Sequence, residues 1–243
     1  VMRKVILSYS RSVTLSVLDW STPVPDLFWE IYDRWISPSV IQALQVDLHE
    51  RLIKRVPRGA RLLDVGTGGG QHAVRVVRER PDLRVDAIDI SATMVRRARA
   101  LAEREGVADK LTFQQGDALQ LPFDNASFDA VWCAGPLKQI NDKPRALQEC
   151  YRVLRPGGRL LIMDVNRGCS EEDVQAFTDR TTLLPPGRAV LKYYFSGVVA
   201  RQSIDLDEVR ALWNELPLVE TDGPRRIPGH PAFVAVGTKP AGG

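Results

Sequence analysis

Apolar and polar residues follow a regular pattern between about residue 60 and residue 165. Short apolar runs with the length of buried strands lie at 60–65, 84–89, 111–114, 128–133 and 159–164. Between several of these runs, apolar residues recur at the three- and four-residue spacing of an amphipathic helix. In one such stretch Ser91 is a suitable N-cap and Gly106 a suitable end. The pattern therefore predicts strands that alternate with helices.

Alternating strands and helices at this spacing predict a parallel sheet that is covered by helices on both faces. Because crossover connections between parallel strands are right-handed, the arrangement narrows to a doubly wound α/β fold. After residue 165 the pattern predicts a helix at 206–216, capped by Asp205, and two more strands near 218–220 and 233–236. The predicted sheet thus has seven strands.

The segments that flank this core have other patterns. The amino-terminal segment predicts one or two amphipathic helices, whereas the segment after the fifth strand has an irregular pattern, with Pro185-Pro186-Gly187 in its middle. Since compact domains rarely carry so long an irregular insertion without function, we expect it to be a mobile lid. We predict a single domain, 1–243, made of a helical cap at 24–56, a core at 60–165, a lid and acceptor insertion at 166–204, and a carboxyl-terminal helix and strands at 205–239.

Composition excludes several classes of protein. A net charge of +3 over 243 residues is too small to indicate nucleic-acid binding, and the arginine runs fall on helices whose solvated faces usually carry such charge. No apolar run is long enough to predict a membrane span, and the first twenty residues lack the apolar core of a signal peptide. The three cysteines have no metal-ligand spacing, so we expect no metal and a reducing, cytoplasmic setting.

The strongest local signal is the sequence LDVGTGGG at 63–70. Glycines between a parallel strand and the next helix let the backbone pass close to a ligand. A dinucleotide site would need a further glycine at position 71, which is Gln71, and a pyrophosphate would be repelled by Asp64. The glycine loop therefore disfavours a nicotinamide cofactor.

Two further acidic residues follow predicted strand ends. A carboxylate at Asp89, after the second strand, can accept hydrogen bonds from both hydroxyls of a ribose, and Asp117, after the third, can accept one from an exocyclic amine. Each is also open to interpretation as a loop or turn residue. Because the ends of parallel strands are where open α/β sheets bind ligands, the three acids together predict a site for an adenosine without phosphates.

Four stretches in order, LLDVGTGGG, VDAIDIS, FQQGDALQLPFDNASFDAVWC and ALQECYRVLRPGGRLLIMD, resemble the successive motifs of the class I S-adenosylmethionine-dependent methyltransferases. They are most similar to the branch that includes ubiquinone and menaquinone biosynthesis enzymes and many natural-product methyltransferases. The resemblance covers 60–165 strongly and 204–239 more weakly. It implies a Rossmann-like, mostly parallel sheet with a late antiparallel strand, which 233–236 suits.

The resemblance also implies the cofactor, S-adenosyl-L-methionine, and its binding residues. The glycine loop passes under the methionine part with Asp64 near its amino group, Asp89 holds the ribose, and other residues contact the adenine or lie near the transferable methyl. The implied cofactor set is Asp64, Gly66, Thr67, Gly68, Gly70, Asp89, Ile90, Met94, Asp117, Ala118, Cys133 and Ala134.

The acceptor side departs from the family pattern. Many relatives have histidines after the fourth strand, where this chain has Leu137-Lys138-Gln139-Ile140-Asn141, and the tetrapeptide typical of amino-group methylation is absent. His230, in a proline-bracketed turn before the last strand, is the candidate general base. Tyr32 and Tyr193 are candidates to line an apolar or sugar-stacking acceptor pocket. Basic residues of the insertion, Arg167, Arg188 and Lys192, would instead suit an anionic acceptor.

The sequence thus predicts methyl transfer to a small molecule, at a hydroxyl oxygen of a metabolite, lipid precursor or sugar. Methylation of carbon on a quinone-like or natural-product acceptor, methylation of RNA or protein, and non-catalytic binding of S-adenosylmethionine remain alternatives. We expect no nucleic-acid partner and no membrane insertion, and the sequence leaves a homodimer open.

Overall fold

The computed structural model describes residues 48–181, 183–196 and 203–242. Most of the predicted helical cap at 24–56, with Tyr32, lies outside the described residues. Within that cap, 48–51 are helical and a short 3-10 turn follows at Ile53–Arg55. Leu48, Leu52 and Ile53 are almost fully buried, so this end of the cap packs on the core.

The centre of the fold is a seven-stranded sheet in the order β3-β2-β1-β4-β5-β7-β6. The strands from β1 to β5 are parallel, while β7 is antiparallel to β5 and β6 is antiparallel to β7. The predicted seven-stranded, mostly parallel sheet is confirmed. Its strands are β1 Arg61–Val65, β2 Arg84–Asp89, β3 Leu111–Gln115, β4 Phe128–Ala134, β5 Leu154–Val165, β6 Val219–Arg226 and β7 Ala232–Thr238.

Helices cover both faces of the sheet. They are α1 Gln71–Glu79, α2 Ala92–Arg104, α3 Lys143–Val153, α4 Glu171–Asp179, α5 Pro185–Tyr194 and α6 Leu206–Asn214. Helices α1 and α2 pack on one face, and α3 and α6 pack on the other. The predicted caps are confirmed, since the Ser91 side chain accepts from Met94 N and Asp205 from Asp207 N. No helix in the described part of the chain is long and apolar enough to cross a bilayer.

The expectation that the insertion at 166–204 is irregular was wrong for the residues that the structure describes there, 166–181, 183–196 and 203–204. Its first helix, α4, begins at a capping box in which Ser170 and Asp173 exchange hydrogen bonds between side chain and backbone. The second, α5, has two prolines in its first turn, where a helix tolerates them because the missing N–H has no intrahelical partner there. The two helices pack through Phe177, whose ring centroid lies 5.1 Å from that of Phe195. The described part of the insertion is therefore a small helical layer that follows β5, and the role of the insertion as a mobile lid stays a prediction.

Candidate active site

From β1 the strand order runs to β2 and β3 on one side and to β4 and β5 on the other, so the sheet has its topological switch point between β1 and β4. Ligands of an open α/β sheet are expected at the carboxyl ends of the strands at this point. The glycine loop connects β1 to α1 at this edge. Gly66 and Gly70 both have positive φ, of 74° and 81°. An added Cβ would lie 2.5 Å from Cγ of Pro136 at the first position and 2.8 Å from Cβ of Ala98 at the second. Neighbouring segments therefore approach the loop more closely than any side chain allows.

Asp89 joins the end of β2 to the glycine loop. Its Oδ2 accepts from Gly68 N at 2.9 Å, and its Oδ1 accepts from Ser91 N at 2.9 Å. Burial raises the pKa of this carboxyl, while the two backbone hydrogen bonds oppose the rise. The carboxylate thus sits at the predicted edge and still has lone pairs for a ligand's hydroxyl groups.

Asp64 is the most perturbed acid of the site. Only 3% of the residue is exposed, and its Oδ2 accepts from the Thr67 hydroxyl at 2.7 Å. The pKa of the Asp64 carboxyl is raised to about 7, chiefly by burial and also by the negative charge of Asp89, while the hydrogen bond from Thr67 opposes the rise. A cation bound beside Asp64 would restore its ordinary ionisation. The α-amino group of S-adenosylmethionine is such a cation, so these residues fit the cofactor.

The residues expected around the adenine are in two environments. Ile90 is 58% exposed although it is strongly apolar, which suits a side chain that covers a ligand face. Asp117 is exposed and its Oδ1 accepts from Leu119 N at 2.9 Å, as a turn-forming aspartate does. Met94, in contrast, is only 5% exposed and packs in the core. Ala118 packs against the core beneath the same edge. Contacts of these four residues with adenine stay predictions.

The end of β4 provides the residues expected near the methyl group. Cys133 is buried in the core, and burial raises the pKa of its thiol well above the usual value, which disfavours the reactive thiolate. Ala134 is partly exposed, and Gly135 beyond it has a φ of 101° with open space at its Cβ position. The backbone therefore leaves room at this strand end.

The structure places His230 at the same edge of the sheet, just before β7 and beside the end of β5. The residue is 4% exposed, and its ring centroid lies 4.5 Å from that of Phe177 of α4 in an edge-on contact. Its backbone N–H donates to Ile227 O at 3.0 Å, which fixes the turn. His230 is thus a packed residue under the insertion, and its role as a base stays a prediction.

Other candidates for the acceptor side lie in the insertion. Tyr193, on α5, is 77% exposed. The three basic candidates hold the insertion itself: Arg167 donates to Ser203 O, Arg188 to Leu183 O and Lys192 to the side chain of Gln175. These bonds support a structural role for the basic residues more than contact with an anionic acceptor.

Two features at this edge were not expected from the sequence. A cleft of about 390 Å³ lies between the ends of β5 and β6 and the start of α6, lined by Asn166, Gly168, Asp205, Leu206, Asp207, Arg210 and Arg226. A partly buried ion pair joins Lys138, after β4, to the fully buried side chain of Asp164 on β5. No motif could have indicated either, because their residues are distant in sequence and meet only through the strand order.

Comparison with known proteins bears on this site. A family model described as a methyltransferase domain matches residues 63–162, which include the glycine loop, Asp89 and Asp117. A methyltransferase of Aquifex aeolicus described as S-adenosylmethionine-dependent shares the fold with a TM-score of 0.64 at 18% identity, over 89% of this chain and 99% of that one.

Three relatives have been named by their activity. The 27-O-demethylrifamycin SV methyltransferase of Amycolatopsis mediterranei is 37% identical over 70% of this chain and 59% of its own length. An O-methyltransferase of Aspergillus nomiae is 32% identical over 63% of this chain and 70% of its own length. A ubiquinone/menaquinone biosynthesis C-methyltransferase of Dinoroseobacter shibae is 38% identical over 46% of this chain and 45% of its own length. The chain thus spans only part of the first and third relatives, but it covers enough of the second to establish the relationship. It belongs to the class I S-adenosylmethionine-dependent methyltransferases.

Proposed function

We propose that this protein transfers the methyl group of S-adenosylmethionine to a hydroxyl oxygen of a small molecule. The observation that carries the proposal is the pair of carboxyls at the carboxyl-terminal edge of the sheet, the buried Asp64 and the half-buried Asp89. They suit a ligand with an ammonium and a ribose but no phosphate. Two of the relatives above are named for methylation of oxygen, and this supports an oxygen acceptor.

Bound S-adenosylmethionine supplies a methyl group that its sulfonium already activates. The protein's contribution is then mainly alignment, which is worth roughly 7–11 kcal/mol for two well-oriented reactants. Asp64 is assigned to the ammonium group of the cofactor and Asp89 to its ribose, and the open backbone at Gly135 admits the acceptor. A hydroxyl acceptor must also lose its proton, and His230 is the base that we assign to that step.

The alternatives differ in where the methyl group goes. Methylation of carbon is the first alternative, because one relative is a C-methyltransferase. Methylation of RNA or protein is disfavoured because the arginines of α1 pair with acids: Arg75 with Glu79, and Arg78 with Glu105 of the neighbouring loop. A protein that only bound the cofactor would transfer no methyl at all.

Transfer of labelled methyl from S-adenosylmethionine into a fractionated cell extract separates these functions. We expect the label in the small-molecule fraction, and hydriodic acid should release it, since that acid cleaves methyl ethers but not carbon–methyl bonds. Label that stays on the product after this treatment would indicate carbon methylation. Label in RNA or protein, or no label in any fraction, would overturn the proposal.

Asp89→Ala should weaken the binding of S-adenosylhomocysteine at least tenfold. Hydrogen bonds to a charged group contribute about 1.5–3 kcal/mol each, and the substitution removes two from the ribose. Titration calorimetry measures the dissociation constant. Asp86→Ala is the matched control. Asp86 lies on the same strand, but its carboxylate pairs with Arg61, the first residue of β1, and is away from the glycine loop. Equal dissociation constants for Asp89→Ala and the control would remove the ribose assignment.

His230→Ala should lower turnover about 10²-fold while the affinity for S-adenosylhomocysteine stays unchanged, because a general base contributes roughly 10²–10⁴-fold and does not touch the cofactor. Phe177→Leu serves as the control for lost packing, since Phe177 contacts the His230 ring. Turnover of His230→Ala within threefold of wild type, or an equal loss in Phe177→Leu, would indicate that alignment alone drives the reaction.

A further inference from the structure

We propose that the ion pair between Lys138 and Asp164 positions the segment after β4, so that this segment forms the acceptor-side wall of the active site. The proposal rests on the methyl transfer proposed above, and it assigns to neither side chain a contact with substrate. Lys138 and Asp164 are positioning residues, and the part of the wall that they hold is Gly135–Pro136.

The carboxylate of Asp164 anchors the ion pair to the sheet. Its side chain, near the end of β5, is fully buried. Oδ1 accepts from Lys138 Nζ at 3.0 Å and from Val165 N at 2.7 Å, and Oδ2 accepts from Lys138 N at 2.9 Å. The carboxylate therefore binds both the backbone and the ammonium group of a single residue on the neighbouring connection.

Lys138 passes this restraint to the residues before it. Its ammonium group also donates to Gly135 O, and Gly135 N donates to Met163 O of β5 at 2.8 Å. Gln139 N donates to Pro136 O at 2.9 Å and closes the turn. Both ends of the short connection are thus attached to β5 by polar bonds.

The other side of the segment touches the glycine loop. The Pro136 ring lies so close to Gly66 that a Cβ there would be 2.5 Å from its Cγ. The segment is therefore held between Asp164 and the loop that receives the cofactor. A shift of about 1 Å in a group that aligns reactants can cost 10²-fold in rate, so the position of this wall matters for transfer.

A role in stability alone is the competing explanation, and energetics argues against it. Buried ion pairs rarely stabilise a fold more than apolar residues of similar size, because the loss of hydration offsets their attraction. Removal of one partner, in contrast, leaves a buried charge without compensation and is strongly destabilising. Simultaneous replacement of both residues avoids an uncompensated charge, and thermal unfolding then measures the stability that is lost with the bonds from Lys138 N and Val165 N to Asp164.

The decisive variant is the double substitution Lys138→Met with Asp164→Leu, which removes both charges and keeps the approximate volumes. Lys138→Arg tests rescue by a residue that keeps the charge. Lys110→Met is the control for the loss of a lysine charge, since Lys110 pairs with the neighbouring Asp109 on the surface, at 3.3 Å. Each protein is studied by thermal unfolding, calorimetry with S-adenosylhomocysteine, amide hydrogen exchange, and turnover of the acceptor found by labelling.

We expect the double variant to stay folded and to bind S-adenosylhomocysteine within threefold of wild type. The amides of Gly135 and Lys138 should exchange at least tenfold faster, and kcat should fall at least tenfold without a matching rise in KM. Lys138→Arg should recover most of the protection, and Lys110→Met should behave as wild type. Wild-type exchange at these amides in the double variant would overturn the proposal. Hydrogen exchange needs no acceptor, so this result is independent of whether the proposed methyl transfer is correct.

Discussion

Asp64→Asn should make the folded protein more stable and the cofactor site much weaker. In the folded protein the pKa of the Asp64 carboxyl is about 7, against an ordinary value of 3.8. The folded state therefore holds this proton more tightly than the unfolded state, and the free energy of unfolding falls as pH rises from about 4 to about 7. Asparagine carries no charge at any pH, and its oxygen can still accept from the Thr67 hydroxyl. The gain at pH 8 has an upper limit of about 4 kcal/mol for a shift of this size.

The proposed contact of Asp64 with the cofactor's ammonium group requires this same charge. Wild-type affinity for S-adenosylhomocysteine should fall as pH is lowered from 8 to 6, because protonation of Asp64 removes the partner of the ligand's ammonium group. Asp64→Asn should bind at least tenfold more weakly at pH 8 and show little dependence on pH over this range. Urea unfolding and calorimetry at both pH values are the measurements, with Asp86→Asn as the control. A variant less stable than wild type at pH 8, or wild-type affinity that does not change with pH, would contradict this account of the site.

The strands of the core were predicted closely because each is an apolar run bounded by polar residues, a pattern that burial on both faces imposes. The strands β2 and β4, at 84–89 and 128–134, begin and end within one residue of the predicted apolar runs. The fifth strand was predicted too short, since Leu154 pairs with Phe128 ahead of a polar Arg-Pro-Gly-Gly stretch. That pairing is a tertiary contact and leaves no periodic signal.

The helices of the insertion were missed for a different reason. Two consecutive prolines such as Pro185-Pro186 typically interrupt regular secondary structure. In the first turn of α5, however, they interrupt no hydrogen bond. The signal that could have located α4 is the Ser170–Asp173 capping box, which precedes its apolar positions. Both features are local, so each helix start can be predicted from the sequence of the insertion alone.

The sequence predicted the position of the candidate site in the sheet topology, but not the environment of each residue in it. The predicted strand ends were enough to locate Asp64, Asp89 and Asp117 at one edge of the sheet. They did not predict how deeply each residue is buried, because burial depends on the segments packed around it. Asp117 is exposed, whereas Asp64 is enclosed. The bond from Lys138 to Asp164 joins residues 26 positions apart across two strands, and no motif marks it.

Two glycines of one loop should respond differently to the same substitution. Gly66 and Gly68 both have positive φ, at which an alanine costs roughly 1–2 kcal/mol. At Gly66 the added methyl would also meet Pro136, with two ring carbons at 2.5 and 2.6 Å. Lys138 holds that connection to β5, so the ring has little freedom to withdraw. Gly66→Ala should therefore lower the free energy of unfolding by about 2–5 kcal/mol.

Gly68→Ala is the matched control, because nothing lies within 4 Å of its Cβ position. Its stability should fall by only the cost of the backbone conformation. The open space at this position is where we expect the methionine part of the cofactor, so Gly68→Ala should still weaken S-adenosylhomocysteine binding at least tenfold. Denaturant unfolding and calorimetry on both variants test this. If Gly68→Ala binds the ligand as wild type does, the loop does not contact the cofactor at this position. If Gly66→Ala is as stable as Gly68→Ala, the Pro136 connection yields, and the wall that Lys138 and Asp164 hold is not rigid.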